Sequence, residues 1–306
     1  MDFFGVNCSS IIMESVDRRY INKNKVAILL STYNGIPYIS AFIQSIKEQV
    51  YQDFTLYIRD DGSKDGTLDF LKTIEENYSK IIVLDSDENL GSKYSFLYML
   101  QNIDSEYYMF ADQDDIWLPN KILMTIEFLE NQQKNKGEVP IVVHTDLRLV
   151  DGNLNLIAKS YWNYLRIPTD MPHAYDLLCH FNDITGCTMA FNKEAKKCIS
   201  PYWEMQLPKF VYHDYFISLL VSLNNGLLLP LHEQTILFRR HGNNETNPLS
   251  KRSSILKRPF MIISYVKEQY RRHLFFNQLK NNYFLFFLIN KFRTQIIKSL
   301  WRKKIV

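Results

Sequence analysis

The sequence predicts an α/β protein built on a mostly parallel, Rossmann-like sheet flanked by helices. Continuous apolar runs of strand length recur between residues 25 and 111. Each run is followed by a polar loop and then by apolar residues three and four positions apart, which is the period of an amphipathic helix. Strands that alternate with helices of this length predict parallel pairing with right-handed crossovers, which brings the polar loops to one edge of the sheet.

Four such units lie in the first half of the chain. The run VAILL leads into STYNG at 31–35, FTLYIR into DDGSKDGT at 60–67, and KIIVLD into NLGSK at 89–93. The fourth strand, 107–111, ends in Asp112, Gln113, Asp114 and Asp115. The helices carry these apolar or central positions: Ile39, Phe42, Ile43 and Ile46; Leu68, Leu71 and Ile74; Tyr94, Leu97 and Gln101; and Ile122, Ile126 and Leu129.

The second half is less regular. Residues 131–140 read as an exposed polar linker, and IVVHTDLRLVDGN from residue 141 as a strand and turn. DITGCTMAFNK predicts a strand with a glycine where a ligand can approach the backbone. His213 and Asp214 open a predicted helix, and LLLPL and TILFRR are two further predicted strands. The G-x-G-x-x-G and P-loop patterns are absent, which argues against dinucleotide redox chemistry and ATP hydrolysis.

Charge is unevenly distributed along the 306 residues. The net charge is +3, but from Lys251 onward there are 14 Lys and Arg against Glu268 alone, so this tail carries +13 and the remainder −10. A basic tail on an acidic body indicates an anionic partner surface, either a membrane or a nucleic acid. Phe, Tyr and Trp are interleaved with the basic residues, which is typical of helices that lie on anionic membranes.

The cysteines and the chain ends bear on the cellular compartment. Cys8, Cys179, Cys187 and Cys198 show no C-x-x-C or zinc-type spacing. The opening residues lack the apolar core of a secretory signal, so we expect reduced thiols and a cytoplasmic protein. The longest apolar run in the tail, 283–289, is too short to span a bilayer.

The acidic group at 112–115 is the strongest candidate site. Its predicted position, at the carboxyl end of a strand, is where open α/β sheets hold their ligands. Clustered carboxylates repel one another unless a cation is bound, and their hard oxygens suit Mg²⁺ or Mn²⁺. The alternative is an acidic turn in which Asp115 caps the next helix and Pro119 fits its first turn.

Seven motifs together carry a resemblance to a known family. The chain resembles family 2 glycosyltransferases with the GT-A fold, and among them the bacterial rhamnosyltransferases of polysaccharide assembly. The resemblance covers residues 25 to about 245. Its motifs are STYNG, DDGSKDGT, NLGSK, DQDDIW (112–117), ITGCTMAF (184–191), HDYF (213–216) and RRHGNN (239–244).

The resemblance implies roles for individual residues. The residues that would bind the nucleotide sugar are Ser31, Thr32, Tyr33, Asn34, Asp61, Lys93, Asp112, Gln113 and Arg239. Asp61 would accept the imide N–H of uracil or thymine, whereas Asp60 is expected to be mainly structural. The alternative for both aspartates is turn formation, which Asp-Gly sequences favour without any ligand.

The metal and the reacting groups follow from the same resemblance. Asp112 and Asp114, with His241, would hold Mg²⁺ or Mn²⁺ against the diphosphate, and Asp115 is a lesser candidate. Asp214 matches the general base, although it can also cap the helix that it opens. The acceptor-binding residues would be Gly186, Cys187, Trp117 and His213. Tyr215 and Phe216 stand where similar proteins often carry tryptophan, so the acceptor contacts are expected to differ.

The expected activity is inverting transfer of one sugar to a glycan or polyprenyl-linked acceptor in bacterial surface polysaccharide synthesis. The donor dTDP-rhamnose is favoured, with a UDP-hexose second. The Q-x-x-R-W signature of processive synthases is absent. Rival hypotheses are a sugar nucleotidyltransferase, against which the STYNG loop argues, and a non-catalytic nucleotide-sugar-binding or scaffolding subunit.

The expected organisation is an N-terminal segment (1–24), a glycosyltransferase domain (25–250, divided near 120 into nucleotide-sugar and acceptor halves) and a basic aromatic helical tail (251–306). We expect the tail to bind the inner face of the cell membrane peripherally, and we expect no nucleic-acid partner. The alternative is that the tail packs on the core or on a second copy of the chain.

Overall fold

The computed structural model describes residues 20–21, 24–86, 88–167, 169, 178, 184–242 and 274–275. The strands are β1 (Tyr20–Ile21), β2 (Val26–Thr32), β3 (Phe54–Asp60), β4 (Ile81–Leu84), β5 (Ile103–Asp104), β6 (Tyr107–Asp112), β7 (Ile116–Trp117), β8 (Ile141–Val150), β9 (Leu156–Ala158), β10 (Met189–Asn192) and β11 (Leu227–Arg239). The helices are α1 (Ile36–Lys47), α2 (Thr67–Asn77), α3 (Gly91–Asn102), α4 (Lys121–Lys136), α5 (Tyr161–Leu165), α6 (Lys193–Ile199) and α7 (His213–Leu223), and short 3-10 turns span Gly186–Thr188 and Ser200–Tyr202. Among these described residues, no helix is long and apolar enough to cross a bilayer.

One large sheet organises the chain, in the order β4-β3-β2-β6-β10-β8-β11-β7, with β9 paired to β8. β4, β3, β2 and β6 pair in parallel, which confirms the predicted parallel half. β10 is antiparallel to both β6 and β8, and β11 runs parallel to β8. The small strands β1 and β5 form a separate parallel pair.

Helices pack on both faces of the sheet, which is why the parallel strands are apolar throughout. Residues of β2 and β3 are buried almost without exception. On one face, the predicted apolar positions of α1 are 0–2% exposed and pack with alternate residues of β2, β3 and β6. On the other face, α3 and α7 pack against the remaining strand residues. The alternation of strand side chains between two faces therefore supplies two cores.

Three predictions about elements were wrong. The linker at 131–140 is helical as far as Lys136, because an exposed helix end of Gln and Lys has good helix propensity but no apolar period to reveal it. The strand predicted from DITGCTMAFNK, residues 183–193, begins only at Met189, after a 3-10 turn that holds the glycine. LLLPL and TILFRR belong to a single strand, β11, which continues through register shifts around Gln234.

The predictions about the two chain ends concern residues that the structure mostly does not describe. Residues 1–19 and almost all of the basic tail lie outside the described residues. The described residues of the tail are Leu274 and Phe275. Phe275 is 5% exposed, and its ring packs edge-on against Phe210 with ring centroids 6.1 Å apart.

Candidate active site

The carboxyl ends of three parallel strands meet at one edge of the sheet. In the strand registers, Ser31 lies opposite Asp112 of β6, and Thr32 lies opposite Asp60 of β3. The Thr32 hydroxyl also donates to Asp60 Oδ2 at 3.1 Å. The loops that follow β2, β3 and β6 are therefore neighbours, as the sequence predicted.

The loop after β2 is hydrogen-bonded to the loop after β3. The backbone N–H of Asn34 donates to Ser63 Oγ at 2.8 Å, and Asn34 Oδ1 accepts from the N–H of Lys64 at 2.9 Å. Gly35 donates its N–H to Thr67 Oγ1 at 2.9 Å. Asn34 adopts a positive φ of 48°, a conformation in which asparagine is tolerated. These contacts hold the backbone of the first loop in place.

The loop after β6 holds the first loop from the other side. Gln113 Oε1 accepts from the N–H of Tyr33, and Gln113 Nε2 donates to the carbonyl of Tyr33, both at 3.1 Å. The Tyr33 ring is 49% exposed. Both the oxygen and the nitrogen of the Gln113 amide are thus hydrogen-bonded within the protein. The Tyr33 side chain is the part of this contact that is exposed to solvent.

Asp61 is buried and joins the sheet edge to the beginning of α3. Its carboxylate pairs with Arg59 and accepts from the Ser95 hydroxyl at 2.9 Å. It also accepts from the N–H groups of Leu90 and Gly91, at 2.8 and 2.6 Å. An anion at a helix N-terminus is a favourable arrangement. The donor role of Asp61 stays a prediction, and these contacts give the residue a structural role as well.

Asp60 is held within its own turn. Its carboxylate accepts from the N–H groups of Gly62 and Ser63, at 3.2 and 2.8 Å, and from the Ser63 hydroxyl at 2.5 Å. This network, together with the bond from Thr32, agrees with the mainly structural role expected for Asp60.

Asp114 and His241 are brought together although they are 127 residues apart. Asp114 Oδ2 lies 2.7 Å from His241 Nε2, and the imidazole stacks on Tyr38 with ring centroids 4.6 Å apart. The guanidinium of Arg239 supports the same loop, since its Nε donates to the carbonyl of Asp114 at 3.0 Å. The sequence grouped these two candidate metal ligands by resemblance, and here they are in contact.

Asp112, Asp115 and Cys187 form a second group beneath this loop. One ligand atom from each lies within 4.8 Å of the other two. Burial and the charges of Asp114 and Asp112 raise the pKa of Asp115 well above its usual range. Burial, followed by the charge of Asp115, likewise raises the pKa of the Cys187 thiol. The alternative that Asp115 caps the next helix was wrong, because Asn120 occupies the N-cap of α4.

Lys121 is a buried residue that the sequence analysis missed. It is 0% exposed, and its Nζ lies 4.6 Å from the centroid of the Trp117 ring. Burial lowers the pKa of Lys121 to about 8, against the opposing influence of Cys187 and Asp115. The sequence does indicate that Lys121 is buried, because it lies one turn before Thr125 and next to Ile122, on the buried side of α4.

Asp214 lies in the first turn of α7 and faces the 3-10 turn. Its Oδ2 accepts from the N–H of Gly186 at 3.0 Å, and its Oδ1 accepts from the N–H of Tyr215 at 2.6 Å. The neighbouring His213 is 8% exposed and stacks on Phe96 with ring centroids 4.1 Å apart. Burial, with the charge of Lys93, lowers the pKa of His213 to about 3. His213 is therefore packed into the core at the start of α7, next to Asp214 in the sequence.

Several predicted ligand-binding residues lie deeper than expected. Trp117 and Cys187 are 2% and 1% exposed, so their side chains offer an acceptor almost no surface in this conformation. Lys93 donates to the carbonyl of Pro208 at 2.8 Å. Arg239 is 8% exposed and donates to the carbonyl of Gly152 at 3.1 Å. Their predicted contacts with donor or acceptor stay predictions.

A divalent metal fits this edge on the chemistry of its donors. Asp112 is grouped with Asp115 and Cys187, and Asp114 lies beside His241, so carboxylate oxygens and an imidazole nitrogen are both present at this edge. Hard oxygen donors with one imidazole suit Mn²⁺ or Mg²⁺. Burial and then the charges of Asp114 and Asp112 raise the pKa of Asp115, and a bound cation would offset that clustered negative charge.

The chain was compared with known families and structures. The model described as Glycosyl transferase family 2 matches residues 27–198. The dTDP-rhamnosyl transferase RfbG of Shigella flexneri is 26% identical over 232 residues, which are 71% of this chain and 73% of that protein.

Two solved structures, each 15% identical, share the fold. One is S. aureus TarS 1–349 in complex with UDP-GlcNAc, with a TM-score of 0.51 over 72% of this chain and 60% of that one. The other is the mannosyltransferase PcManGT from Pyrobaculum calidifontis in complex with GDP-Man and Mn2+, with a TM-score of 0.53 over 70% of this chain and 56% of that one. The matched part is thus less than two thirds of either solved chain.

Proposed function

The chain belongs to glycosyl transferase family 2 and is a glycosyltransferase. On that basis we propose that it transfers one sugar, with rhamnose favoured, and that the transfer inverts the configuration at the anomeric carbon. The donor is a nucleoside diphosphate sugar and the acceptor a glycan or polyprenyl-linked hydroxyl. The reaction contributes to the synthesis of a bacterial surface polysaccharide.

One observation carries this proposal. The consecutive residues Gly186 and Cys187 connect the two halves of the site, since Gly186 donates its N–H to Asp214 and Cys187 lies within 4.8 Å of Asp112. The carboxylate of Asp214 and the acidic loop therefore lie next to consecutive residues of one 3-10 turn. This supports a base and a leaving-group site on the two sides of one reacting carbon.

The donor would bind to the loops that follow β2 and β6. Tyr33, exposed at the sheet edge, packs against the base, and Ser31 and Asn34 lie at the ends of the same loop. Asp112 and Asp114, with His241, hold the divalent metal. When bound, such a metal stabilises negative charge on the leaving nucleoside diphosphate.

The acceptor side centres on Asp214. As the acceptor oxygen bonds to the anomeric carbon, the bond from that carbon to the diphosphate oxygen breaks, and the acceptor proton passes to a carboxylate oxygen of Asp214. The N–H groups of Gly186 and Tyr215 fix the carboxylate in one orientation. His213, which is buried at the start of α7, would orient Asp214 or contact the acceptor.

The second part of the proposal concerns the nucleobase and the sugar of the donor. The 26% identity to a dTDP-rhamnosyl transferase favours dTDP-rhamnose. A UDP-hexose is the second candidate, because uracil and thymine present the same imide edge to a carboxylate or backbone acceptor. We further propose that the protein acts at the inner face of the cell membrane, to which its basic tail adsorbs.

The test is a panel of nucleotide sugars with and without Mn²⁺. Ligand binding raises the apparent melting temperature by mass action, so the true donor should give a metal-dependent rise. The panel is repeated with Asp114→Asn and with Asp69→Asn, an exposed carboxylate of α2 that serves as the matched control. Release of nucleoside diphosphate with a lipid-linked acceptor then separates a transferase from a non-catalytic binding subunit. If no nucleotide sugar stabilises the protein, the proposal fails.

A further inference from the structure

Exposed apolar side chains are concentrated in one short segment. Among the described residues, nine large apolar side chains are exposed, and four of them fall between residues 154 and 164. They are Leu154 (38% exposed), Leu156 (53%), Ile157 (40%) and Tyr164 (43%). We call residues 154–166 the hairpin surface, since they comprise β9, which returns antiparallel to β8, and the short helix α5.

The backbone of this segment is held in place by hydrogen bonds. Asp151 Oδ1 accepts from the N–H groups of Asn153 and Asn155, both at 2.9 Å. Leu154 adopts a positive φ of 67°, which is unfavourable for a large side chain and is seen where the surroundings impose it. At the other end, the buried Asp146 accepts from the N–H groups of residues 161 and 162, both at 3.1 Å. The apolar side chains are therefore presented by a fixed frame.

The charge of the segment differs from that of the rest of the domain. Residues 152–167 contain Lys159 and Arg166, both exposed, and no acidic residue. The chain before Lys251 carries a net charge of −10. Apolar side chains bordered by basic ones are the combination that binds the headgroup region of an anionic bilayer.

The hairpin surface is also connected to the reaction site. The guanidinium of Arg239 donates from Nη1 to the carbonyl of Gly152 at 3.1 Å and from Nε to the carbonyl of Asp114 at 3.0 Å. One side chain thus joins the turn before β9 to the acidic loop. A partner that binds the hairpin surface would therefore lie beside the candidate active site.

We propose that the hairpin surface is a second membrane contact, in which Leu156 and Ile157 enter the headgroup region of an anionic bilayer beside the active site. The basic tail supplies salt-sensitive attraction over a distance, whereas the hairpin supplies an apolar contact that salt does not screen. The contact orients the cleft towards the lipid surface. This contact depends neither on the donor nor on the metal.

The test uses the full chain and vesicles of phosphatidylglycerol and phosphatidylcholine. The variant Leu156→Thr/Ile157→Thr should bind these vesicles about tenfold more weakly, with the larger difference at high salt. The control Val50→Thr/Leu68→Thr changes two side chains that are 57% and 38% exposed elsewhere on the domain and should bind as the wild type does. Hydrogen exchange should slow at 153–160 when anionic vesicles are added.

Other outcomes would overturn the proposal. Equal binding of the hairpin variant, the control and the wild type would show that this surface does not touch lipid. Wild-type protein that ignores anionic vesicles at low salt would do the same. If the hairpin variant instead converts a dimer to a monomer without changing vesicle binding, the occupant is a second copy of the chain. Should that variant misfold by circular dichroism, Lys159→Glu must weaken vesicle binding by itself, and nucleotide binding reports on the proposed function separately.

Discussion

Gln113 and Tyr33 are joined by two hydrogen bonds that run in opposite directions, from the N–H of Tyr33 to Oε1 and from Nε2 to the carbonyl of Tyr33, each 3.1 Å long. The side chain lies directly over Gly35, where a Cβ would overlap its oxygen and would lie 2.8 Å from its Cδ. The residue between the two candidate metal ligands therefore sets the position of the exposed tyrosine.

This contact predicts that Gly35→Ala acts through Gln113. The backbone of Gly35, at φ −95°, accepts alanine, so the added methyl displaces the amide and releases Tyr33. Affinity for the nucleoside diphosphate should fall about tenfold in Gly35→Ala and about tenfold in Gln113→Ala, as pre-organisation is lost. Calorimetric titration of dTDP and UDP measures both.

The double variant is the decisive measurement. Gly35→Ala/Gln113→Ala should bind no more weakly than either single variant, because both remove the same contact. Gly152→Ala, at a glycine with open space around it, is the control and should bind normally. Additive losses in the double variant would mean that the two residues act independently.

The metal prediction concerns Asp114. Asp114→Asn removes one charge and one hard oxygen donor from beside His241, so donor affinity in the presence of Mn²⁺ should fall at least about tenfold. Affinity measured in a chelator should stay near that of the wild type. If calorimetry gives unchanged donor affinity and unchanged Mn²⁺ dependence, Asp114 does not hold the metal.

The base prediction separates chemistry from binding. Asp214→Asn keeps the side-chain shape and an oxygen for the N–H of Gly186 but cannot take a proton from the acceptor. Turnover should fall by roughly 10²-fold or more, while the donor dissociation constant stays within about a factor of two. Turnover close to that of the wild type, with a confirmed acceptor, would assign the base to another residue.

Acid sensitivity is predicted to depend on His213. The pKa of His213 is about 3 in the folded state and 6.5 in the unfolded state. The contribution of the neutral ring to the unfolding free energy is therefore fully present above pH 6.5 and is lost as the pH falls towards 3. Between pH 7 and 5 the wild type should lose up to about 2 kcal/mol more unfolding free energy than His213→Phe. Urea titrations at the two pH values measure this difference, and an equal loss in both proteins would contradict it.

The tail prediction needs a variant that preserves folding. Truncation before Lys251 would also remove Phe275, which packs on Phe210, so loss of lipid binding by that variant would be ambiguous. Arg302→Gln/Lys303→Gln/Lys304→Gln keeps Phe275 and should weaken adsorption to anionic vesicles at low salt, because each basic residue near such a surface contributes about 1 kcal/mol. The control Lys134→Gln/Lys136→Gln/Lys193→Gln, at exposed positions of the domain, should have little effect.

The two triple variants also test the alternative for the tail. Equal flotation of both with anionic vesicles would indicate that these tail residues do not contribute to lipid binding, as expected if the tail packs on protein. In that case Arg302→Gln/Lys303→Gln/Lys304→Gln should alter the oligomeric state or the melting temperature instead.

Much of the architecture could be predicted from local patterns. The runs that form β2, β3, β4 and β6 and the apolar period of the helices after them are properties of adjacent residues, so the parallel half and its loop edge followed directly. Where the period was missing, prediction was poorer. The exposed end of α4 and the long β11, which bends through register shifts near Gln234, gave no such local signal.

The sequence by itself determined the fold class, the family and the identity of the acidic loop, because each depends on short motifs and on their order along the chain. Only the tertiary structure decided which groups meet, since the His241 side chain reaches Asp114 across 127 positions and the backbone N–H of Arg239 reaches Asp115 across 124. Burial was likewise decided by packing. Lys121 and Trp117 look like surface and ligand-binding residues in the sequence, yet both are enclosed once β7 pairs with β11 and α4 covers the sheet.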